Sequence, residues 1–414
     1  MSMRRREFLQ SGALAAAAAL MGPSLVLARA GTQPKRFVLV IMRGALDGLA
    51  AVPPYADADY AGLRREVAIA RPGSEGGALP LNGFFGLHPA LSFLGQCYGA
   101  HELIVFHALA SPYRERSHFD GQDVLENGTL RAHAAQSGWL NRALAQLPGA
   151  SGRERGVALG QNVPLVMRGP AEVTSWSPSR LAALDEETLQ RITDLYASDP
   201  LLSVRLADAM SADAMVASEG MEGTPGAQAT PAAGGAAAAQ AAGARYGQLV
   251  QAAAGFLRSA DGPSVAVFDT TGWDTHANEG GAQGQLAGRL KGLDAALAQL
   301  KEQLGPTWSD TAVLLVTEFG RTAAVNGTRG TDHGTATVAF LVGGAVAGGR
   351  VIADWPGLSA RSLYQGRDLA PTLDLRSVFK GILSEHLRVS TRALEQEVFP
   401  DSAAAAPLAG LLRS

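Results

Sequence analysis

The sequence predicts a doubly wound α/β fold, in which a mostly parallel sheet carries helices on both faces. Short apolar runs rich in β-branched residues recur along the chain and are typical of fully buried strands. Longer stretches with helical spacing of apolar residues separate these runs. Because strands that alternate with helices favour parallel pairing, we expect one sheet with ligand-binding loops at the carboxyl ends of its strands.

The first thirty residues have the pattern of an export signal. Arg4-Arg5-Arg6 precedes an apolar stretch at 13–27, and Ala28-Arg29-Ala30 offers a small-residue cleavage site. This order is typical of a twin-arginine signal peptide. A membrane anchor is the alternative, but the stretch is short for a span of roughly 20 residues. We therefore expect 31–414 to be a single periplasmic or secreted domain, exported by the twin-arginine route, without stable membrane insertion after signal removal.

Composition excludes several classes of protein. The 414-residue chain contains one cysteine, Cys97, so neither an intramolecular disulfide nor a cysteine-based zinc site can form. The formal net charge is −3, and no basic stripe is visible, so a nucleic acid is not an expected partner. Stability must come from a large apolar core.

The individual elements follow from local patterns. Apolar runs predict strands at 37–42, 103–106, 156–159, 165–167, 265–268, 312–317, 338–342 and 350–352. The signals at 156–159 and 165–167 are weaker, and 350–352 is expected at an edge of the sheet. Helical periodicity predicts helices at 87–98, 181–210, 246–257, 284–304 and 374–387. Residues 213–243 are rich in Ala, Gly, Pro and Gln, which predicts a flexible insert within the single domain.

Three short polar segments, 272–276, 317–321 and 331–334, each lie at one end of a predicted strand. Asp274 and His276 are two residues apart and therefore point to the same side of an extended segment, where they can share a cation. A loop Asp bonded to the backbone, with a solvated His, is the alternative. Acids and imidazoles converging at a sheet edge suggest metal chemistry.

The other two segments add candidate groups. Glu318 follows a nearly pure aliphatic run and is either a site acid or the partner of Arg321 in an ordinary salt bridge, while Arg321 could instead bind an anionic substrate group. Of Asp332 and His333, we expect one to be a ligand and the other to orient it. A turn with a capping Asp is the alternative for this pair.

Two further segments could contribute. Asp47 follows the first strand in a turn with two glycines, where it either faces the crevice or caps a helix. Ser117 with Asp120 fits a helix-capping pattern, but a hydroxyl at a helix N-terminus is also suited to act as a metal-activated nucleophile. His118 is the alternative ligand from this segment.

Several of these motifs occur in one order over nearly the whole mature chain. They are the twin-arginine leader, the turn 43–47, the segment 117–123, the segment 272–276, the segment 318–322 and Asp332-His333. In this combination the sequence resembles the bacterial domain of unknown function 1501 family. That family looks like a distant branch of the alkaline phosphatase and sulfatase superfamily. The resemblance implies an alkaline phosphatase-like fold with a metal centre at the strand ends.

The resemblance also implies an activity, namely metal-dependent hydrolysis of a phosphate or sulfate ester. By analogy, Asp47, Ser117 and Glu318 would serve one cation and Asp274, His276 and His333 a second. Ser117 would be the nucleophile, and Arg321 or Arg43 would hold the anionic oxygens. One or two divalent ions are expected, Zn²⁺ or Mn²⁺ at imidazoles and Mg²⁺ or Ca²⁺ at carboxylates.

Departures from the superfamily pattern support a rival hypothesis. Phe319 stands where phosphatases place a ligating His, and the Asp-x-His spacing is shorter than theirs. The alternative is a non-catalytic periplasmic binding or assembly protein that retains the fold, takes another exported protein as its partner and keeps at most one metal. A Rossmann-type nucleotide binder is disfavoured, because no G-x-G-x-x-G follows the first strand.

Overall fold

The computed structural model describes residues 34–147, 155–178, 186–196 and 235–413, with a few more between 198 and 210. The predicted signal peptide lies outside these residues, and so do residues 213–234 of the predicted insert. Residues 235–243 form the beginning of a long helix. No helix in the described part of the chain is long and apolar enough to span a bilayer.

Strands and helices alternate through the described chain. The strands are β1 (Arg36–Arg43), β2 (Leu79–Pro80), β3 (Gly86–Leu87), β4 (Leu103–Ala110), β5 (Gly156–Leu159), β6 (Val173–Trp176), β7 (Val265–Thr271), β8 (Thr311–Val316), β9 (Thr337–Val342), β10 (Arg350–Ile352) and β11 (Leu373–Asp374). The helices are α1 (Gly48–Ala51), α2 (Tyr60–Arg64), α3 (Ser92–Gly99), α4 (His118–Asn127), α5 (Trp139–Ala145), α6 (Glu186–Tyr196), α7 (Gly235–Arg258), α8 (Gln285–Leu304), α9 (Leu375–Glu385) and α10 (Thr391–Ala393).

Nine strands form the main sheet, in the order β10-β4-β9-β8-β1-β7-β5-β6, with β11 beside β4. The central strand β1 pairs in parallel with both β7 and β8. β9 runs antiparallel to its neighbours β4 and β8. Because β9 is reversed, its amino end lies at the same edge of the sheet as the carboxyl ends of β4, β7 and β8. Loops that follow those three strands can therefore meet the loop that precedes β9.

The sheet separates two apolar cores. Alternate residues of a strand point to opposite faces, and β1 shows this: Val38 and Val40 join one cluster, whereas Leu39 and Ile41 join the other. Helices α3, α7 and α8 bury their apolar side chains in the first core, and α5 and α9 in the second. The predicted doubly wound α/β fold is therefore confirmed.

Some local predictions were wrong. Residues Leu165–Met167, expected as a weak strand, form a 3₁₀ turn preceded by Pro164, and an apolar run of three residues does not distinguish the two. The strand β6 was not predicted. Leu87 was expected to begin a helix, but it lies in β3, and α3 begins only at Ser92.

Candidate metal centre

Three loops meet at the edge of the sheet described above. Backbone hydrogen bonds join them: the Thr331 N–H donates to the Thr275 carbonyl over 3.1 Å, and the Gly334 N–H donates to the Gly320 carbonyl over 2.8 Å. Arg321 and His333 form an antiparallel bridge. The polar segments of the sequence are thus held together by their own backbones.

The Asp274 carboxylate is the centre of a cluster of three imidazoles. Its Oδ1 lies 3.1 Å from Nε2 of His276 and 3.3 Å from Nε2 of His333. Its Oδ2 lies 3.4 Å from Nε2 of His118, the first residue of α4. Among the described residues, the ligand atoms of His118, Asp274 and His333 lie within 4.8 Å of one another, a spacing that fits one metal ion.

Each of the three imidazoles is oriented through its other ring nitrogen. Nδ1 of His118 lies 2.7 Å from Oε1 of Glu318, and Nδ1 of His276 lies 3.2 Å from Oδ1 of Asp332. Nδ1 of His333 lies 2.9 Å from the carbonyl oxygen of Arg116. All three partners accept, so each Nδ1 carries the hydrogen. This is the arrangement of metal-bound histidines in proteins, and it leaves the Nε2 lone pairs facing Asp274.

The positions of these Nε2 lone pairs show whether the site fits a cation. Nε2 of His276 and Nε2 of His333 are only 3.0 Å apart, and two lone pairs at that distance repel unless a proton or a metal ion lies beside them. Nε2 of His118 is buried and has no hydrogen-bond partner among the described residues. Three imidazole nitrogens and one carboxylate oxygen form a donor set that suits a divalent transition metal. The residues present therefore fit such an ion.

The electrostatics of the cluster keep its carboxylates ionised. Burial raises the pKa of Asp274, but Arg321 and His276 more than offset this, so the pKa lies below its usual value. Burial likewise raises the pKa of Glu318, while the hydrogen bond from His118 reverses the effect and leaves that pKa lowered. The same hydrogen bond raises the pKa of His118, whereas burial lowers that of His333.

Glu318 is buried and fully occupied by donors. Its Oε1 accepts from the Gly44 N–H at 2.9 Å, from Nε2 of Gln122 at 3.1 Å and from His118, and its Oε2 accepts from the Thr317 hydroxyl at 2.9 Å. The structure therefore places Glu318 behind an imidazole and away from a ligand position.

Asp332 has the same relation to His276 and also accepts from Nδ2 of Asn326 at 3.0 Å. Asp332 was expected to orient His333 or to be oriented by it, but the two side chains have different partners. His333 joins the cluster, and Asp332 orients the imidazole of the neighbouring loop.

Arg321 brings a buried positive charge to the same place. Its Nη2 lies 2.8 Å from Oδ1 of Asp274, and its side chain is 0% exposed. None of its guanidinium nitrogens has a geometrically well-aligned hydrogen bond within the described part of the chain. An Arg that pairs with a partly exposed carboxylate but makes no aligned hydrogen bond is suited to hold oxygens of an anionic ligand.

Asp47 does not join the cluster. Its Oδ1 accepts from the Ala50 N–H at 3.0 Å, which caps α1, and its Oδ2 pairs with Arg64 at 2.5 Å. The capping alternative of the sequence analysis is the arrangement observed. The predicted half-site of Asp47, Ser117 and Glu318 is therefore not assembled as a cation site.

Ser117 is the residue immediately before α4, so it precedes the candidate ligand His118. Its side chain makes no capping hydrogen bond, unlike the capping pattern suggested by the sequence. Its backbone N–H donates to the Tyr113 hydroxyl at 3.0 Å. The Ser117 hydroxyl is thus not committed to the helix end.

Sequence reasoning missed two buried residues close to the ligand loops, Arg64 and Glu279. The Glu279 carboxylate accepts from the hydroxyls of Thr275 and Thr331, at 3.1 and 2.8 Å. Neither residue lies in a strand-end segment, so the pattern that identified the other candidates gave no signal for them.

Gly44 shows why the loops can approach so closely. Its φ is +118°, a conformation that favours glycine, and a Cβ built there would lie 2.8 Å from the backbone nitrogen of Asp274. The turn after β1 therefore needs glycine to pack against the loop that carries Asp274.

The segment that contains the four clustered residues also identifies the family. Residues 107–398 match the model of a family described as a protein of unknown function (DUF1501). The chain belongs to the DUF1501 family. The resemblance noted in the sequence is thereby confirmed. Among curated proteins, none matches this DUF1501 chain significantly.

Several solved structures are similar to this DUF1501 protein. The C-terminal periplasmic domain of EcEptC from Escherichia coli, in complex with Zn, is 9% identical, with 75% of this chain and 73% of that chain covered and a TM-score of 0.35. A protein in the alkaline phosphatase superfamily from Vibrio parahaemolyticus is 11% identical, with coverages of 75% and 60% and a TM-score of 0.35. Alkaline phosphatase from the Antarctic bacterium TAB5 is 12% identical, with coverages of 77% and 95% and a TM-score of 0.34. Because these identities and TM-scores are low, the interpretation of the candidate site depends on its own geometry alone.

Proposed function

We propose that this protein binds one divalent metal ion through His118, Asp274, His276 and His333. The observation that carries the proposal is the convergence of three imidazoles on one carboxylate, each with its Nδ1 hydrogen bonded to an acceptor. Three imidazoles favour Zn²⁺ or Mn²⁺ over Mg²⁺ or Ca²⁺, which prefer oxygen ligands.

We further propose that the site hydrolyses an anionic ester of the phosphate or sulfate class. The side chains of Asp274 and His276 are 41% and 45% exposed, so a small substrate can reach the cluster from solvent. A bound divalent ion would polarise an ester oxygen and stabilise charge in the transition state. Arg321 pairs with Asp274 at 2.8 Å, and its guanidinium makes no well-aligned hydrogen bond among the described residues; it would supply hydrogen bonds to the non-reacting anionic oxygens.

Ser117 is the proposed nucleophile. It precedes the candidate ligand His118 at the start of α4, and its hydroxyl is not used as a helix cap. A helix N-terminus presents backbone N–H groups that favour developing negative charge. Activity that survives in Ser117→Ala would assign the attack to water instead.

A second candidate function is a non-catalytic binding or assembly protein. Its support is the number of ligands, because four protein groups fill a tetrahedral ion and catalytic zinc sites keep one position open. The buried Phe319 also packs against the cluster, with its ring 5.1 Å from that of His118 and 5.4 Å from that of His333. In this hypothesis the partner is another exported protein. Export by the twin-arginine route is itself a proposal, which rests on the leader sequence.

Elemental analysis of the purified protein tests the metal centre. Wild type should hold about one equivalent of metal, and Asp274→Ala and His276→Ala should lose it. The matched control is His133→Ala, because His133 also lies beside carboxylates, Asp120 and Asp123, but is 72% exposed and outside the cluster. No metal in folded wild type after loading with Zn²⁺ or Mn²⁺ would refute the proposal.

A screen with phosphate and sulfate esters then separates the two functions. Turnover that disappears in Asp274→Ala and weakens strongly in Arg321→Met supports the hydrolase. Stoichiometric metal without turnover of any ester supports the binding protein.

A further inference from the structure

A second set of ionisable residues lies buried beneath the loops that carry the candidate ligands. Asp47, Arg64 and Glu279 are each at most 1% exposed. Arg64 lies between the two carboxylates, 2.5 Å from Asp47 and 3.5 Å from Glu279. Buried charges are costly unless they are paired, and Arg64 provides a partner for both carboxylates.

Glu279 connects two loops through a single oxygen. Its Oε2 accepts from the hydroxyl of Thr275 at 3.1 Å and from the hydroxyl of Thr331 at 2.8 Å. Thr275 stands between Asp274 and His276, and Thr331 stands two residues before His333. One carboxylate oxygen therefore ties together the two loops that supply three of the four candidate ligands.

The direction of the side chains explains this geometry. Neighbouring residues of an extended segment point to opposite sides. Asp274 and His276 are partly exposed on the solvent side, whereas Thr275 is 2% exposed on the buried side. Glu279 thus holds the loops from below without touching a candidate ligand side chain.

The protonation of the set agrees with this role. Burial and the nearby Asp47 charge raise the pKa of Glu279 well above its usual value. A neutral Glu279 can still accept both hydroxyls at Oε2. Asp47 and Arg64 then balance each other in charge.

We propose that Glu279 is a positioning residue that holds the loop of Asp274 and His276 against the loop of His333 and thereby sets the metal affinity of the cluster. The inference rests on the proposed metal centre. Groups that hydrogen bond a metal ligand directly typically change metal affinity by about 10–100-fold when removed. Glu279 acts through the threonines beside the ligands, so we expect a loss at the lower end, about tenfold.

Three variants and one control test the proposal. Glu279→Leu removes the acceptor, Thr331→Val removes one hydroxyl, and Glu279→Gln keeps a neutral side chain with both an acceptor and a donor. The control is Asp294→Asn, because Asp294 is a buried acid that accepts from backbone N–H groups at the start of α3, away from these loops. Zn²⁺ dissociation constants are measured by competition with a chromophoric chelator. Hydrogen exchange of residues 272–276 and 330–334 is measured in metal-free protein.

Glu279→Leu should weaken Zn²⁺ binding about tenfold and speed exchange in both loops, and Thr331→Val should do the same to a smaller extent. Glu279→Gln should stay within about threefold of wild type, and Asp294→Asn should change thermal stability alone. Wild-type affinity and wild-type exchange in both Glu279→Leu and Thr331→Val would overturn the inference, as would a Gln variant as weak as the Leu variant. If wild type binds no Zn²⁺, the proposed function fails, and the exchange rates alone decide whether Glu279 holds the loops.

Discussion

Glu318 and Asp332 have the same role toward different imidazoles, but one is buried and the other is exposed. The Glu318 side chain is 0% exposed and that of Asp332 is 54% exposed. Electrostatic interactions weaken as water approaches the pair. We therefore predict that Glu318→Gln reduces metal affinity much more than Asp332→Asn.

The magnitude follows from these contacts. Gln keeps the acceptor oxygen that His118 Nδ1 approaches at 2.7 Å, so the substitution removes the negative charge and leaves the hydrogen bond. Loss of a partner that orients a ligand costs about 10–100-fold in affinity, or about 1.4–2.7 kcal/mol. Because Gln retains the hydrogen bond, we expect the lower end, about tenfold. An exposed ion pair is worth about 0.2–1 kcal/mol, so Asp332→Asn should cost less than about fivefold.

Chelator competition with Zn²⁺ at pH 7.5 gives both affinities, and urea unfolding of the metal-free variants shows whether the fold is intact. Glu318→Ala is a poor substitute for the Gln variant, since it leaves the Gly44 N–H and His118 Nδ1 without their acceptor. An Asp332→Asn effect equal to or larger than that of Glu318→Gln would refute the argument from burial.

Three further predictions concern acid, packing and metal removal. Burial lowers the pKa of His107 to about 4, and its Nδ1 accepts from the Ala108 N–H at 2.8 Å, so the folded protein holds the neutral imidazole. Up to about 3 kcal/mol of unfolding free energy should therefore be lost as the pH falls from 6.5 to 4. The pH profile of His107→Gln should be flatter. A Cβ at Gly334 would collide with the backbone of the neighbouring segment, whereas one at Gly327 meets nothing, so Gly334→Ala should lose about 1–3 kcal/mol in urea unfolding together with its bound metal, and Gly327→Ala neither. EDTA should lower the melting temperature of metal-loaded wild type, since a ligand at 100 times its Kd contributes about 2.7 kcal/mol; an equal response of Asp274→Ala would contradict the assignment of the site.

The sequence was sufficient to predict the α/β class and most strands, because buried apolar runs such as β1 and β8 have few other interpretations. It also placed His118, Asp274, His276 and His333 in segments that the structure brings together. Strand patterns carry no direction, so the reversal of β9 was not visible in them.

The roles of the acids could not be predicted in the same way. Asp47 and Glu318 both follow buried strands, and a strand-end acid can be a ligand, a cap or an orienting group. The choice depends on the residue opposite, which is Arg64 for Asp47 and His118 for Glu318. Such partners come from distant segments and leave no local periodic signal, and for the same reason Glu279 was missed.

The reversal of β9 has a consequence for the order of events during synthesis. The contact of His118 with Glu318 joins residues 200 apart in sequence, and that of His333 with Arg116 joins residues 217 apart. No fragment that ends before His333 contains the whole cluster, so a nascent or truncated chain lacks it until the loop that leads into β9 has been added. The proposed metal uptake would therefore be a late step, and a bound ion would mark a chain that extends at least to the loop before β9.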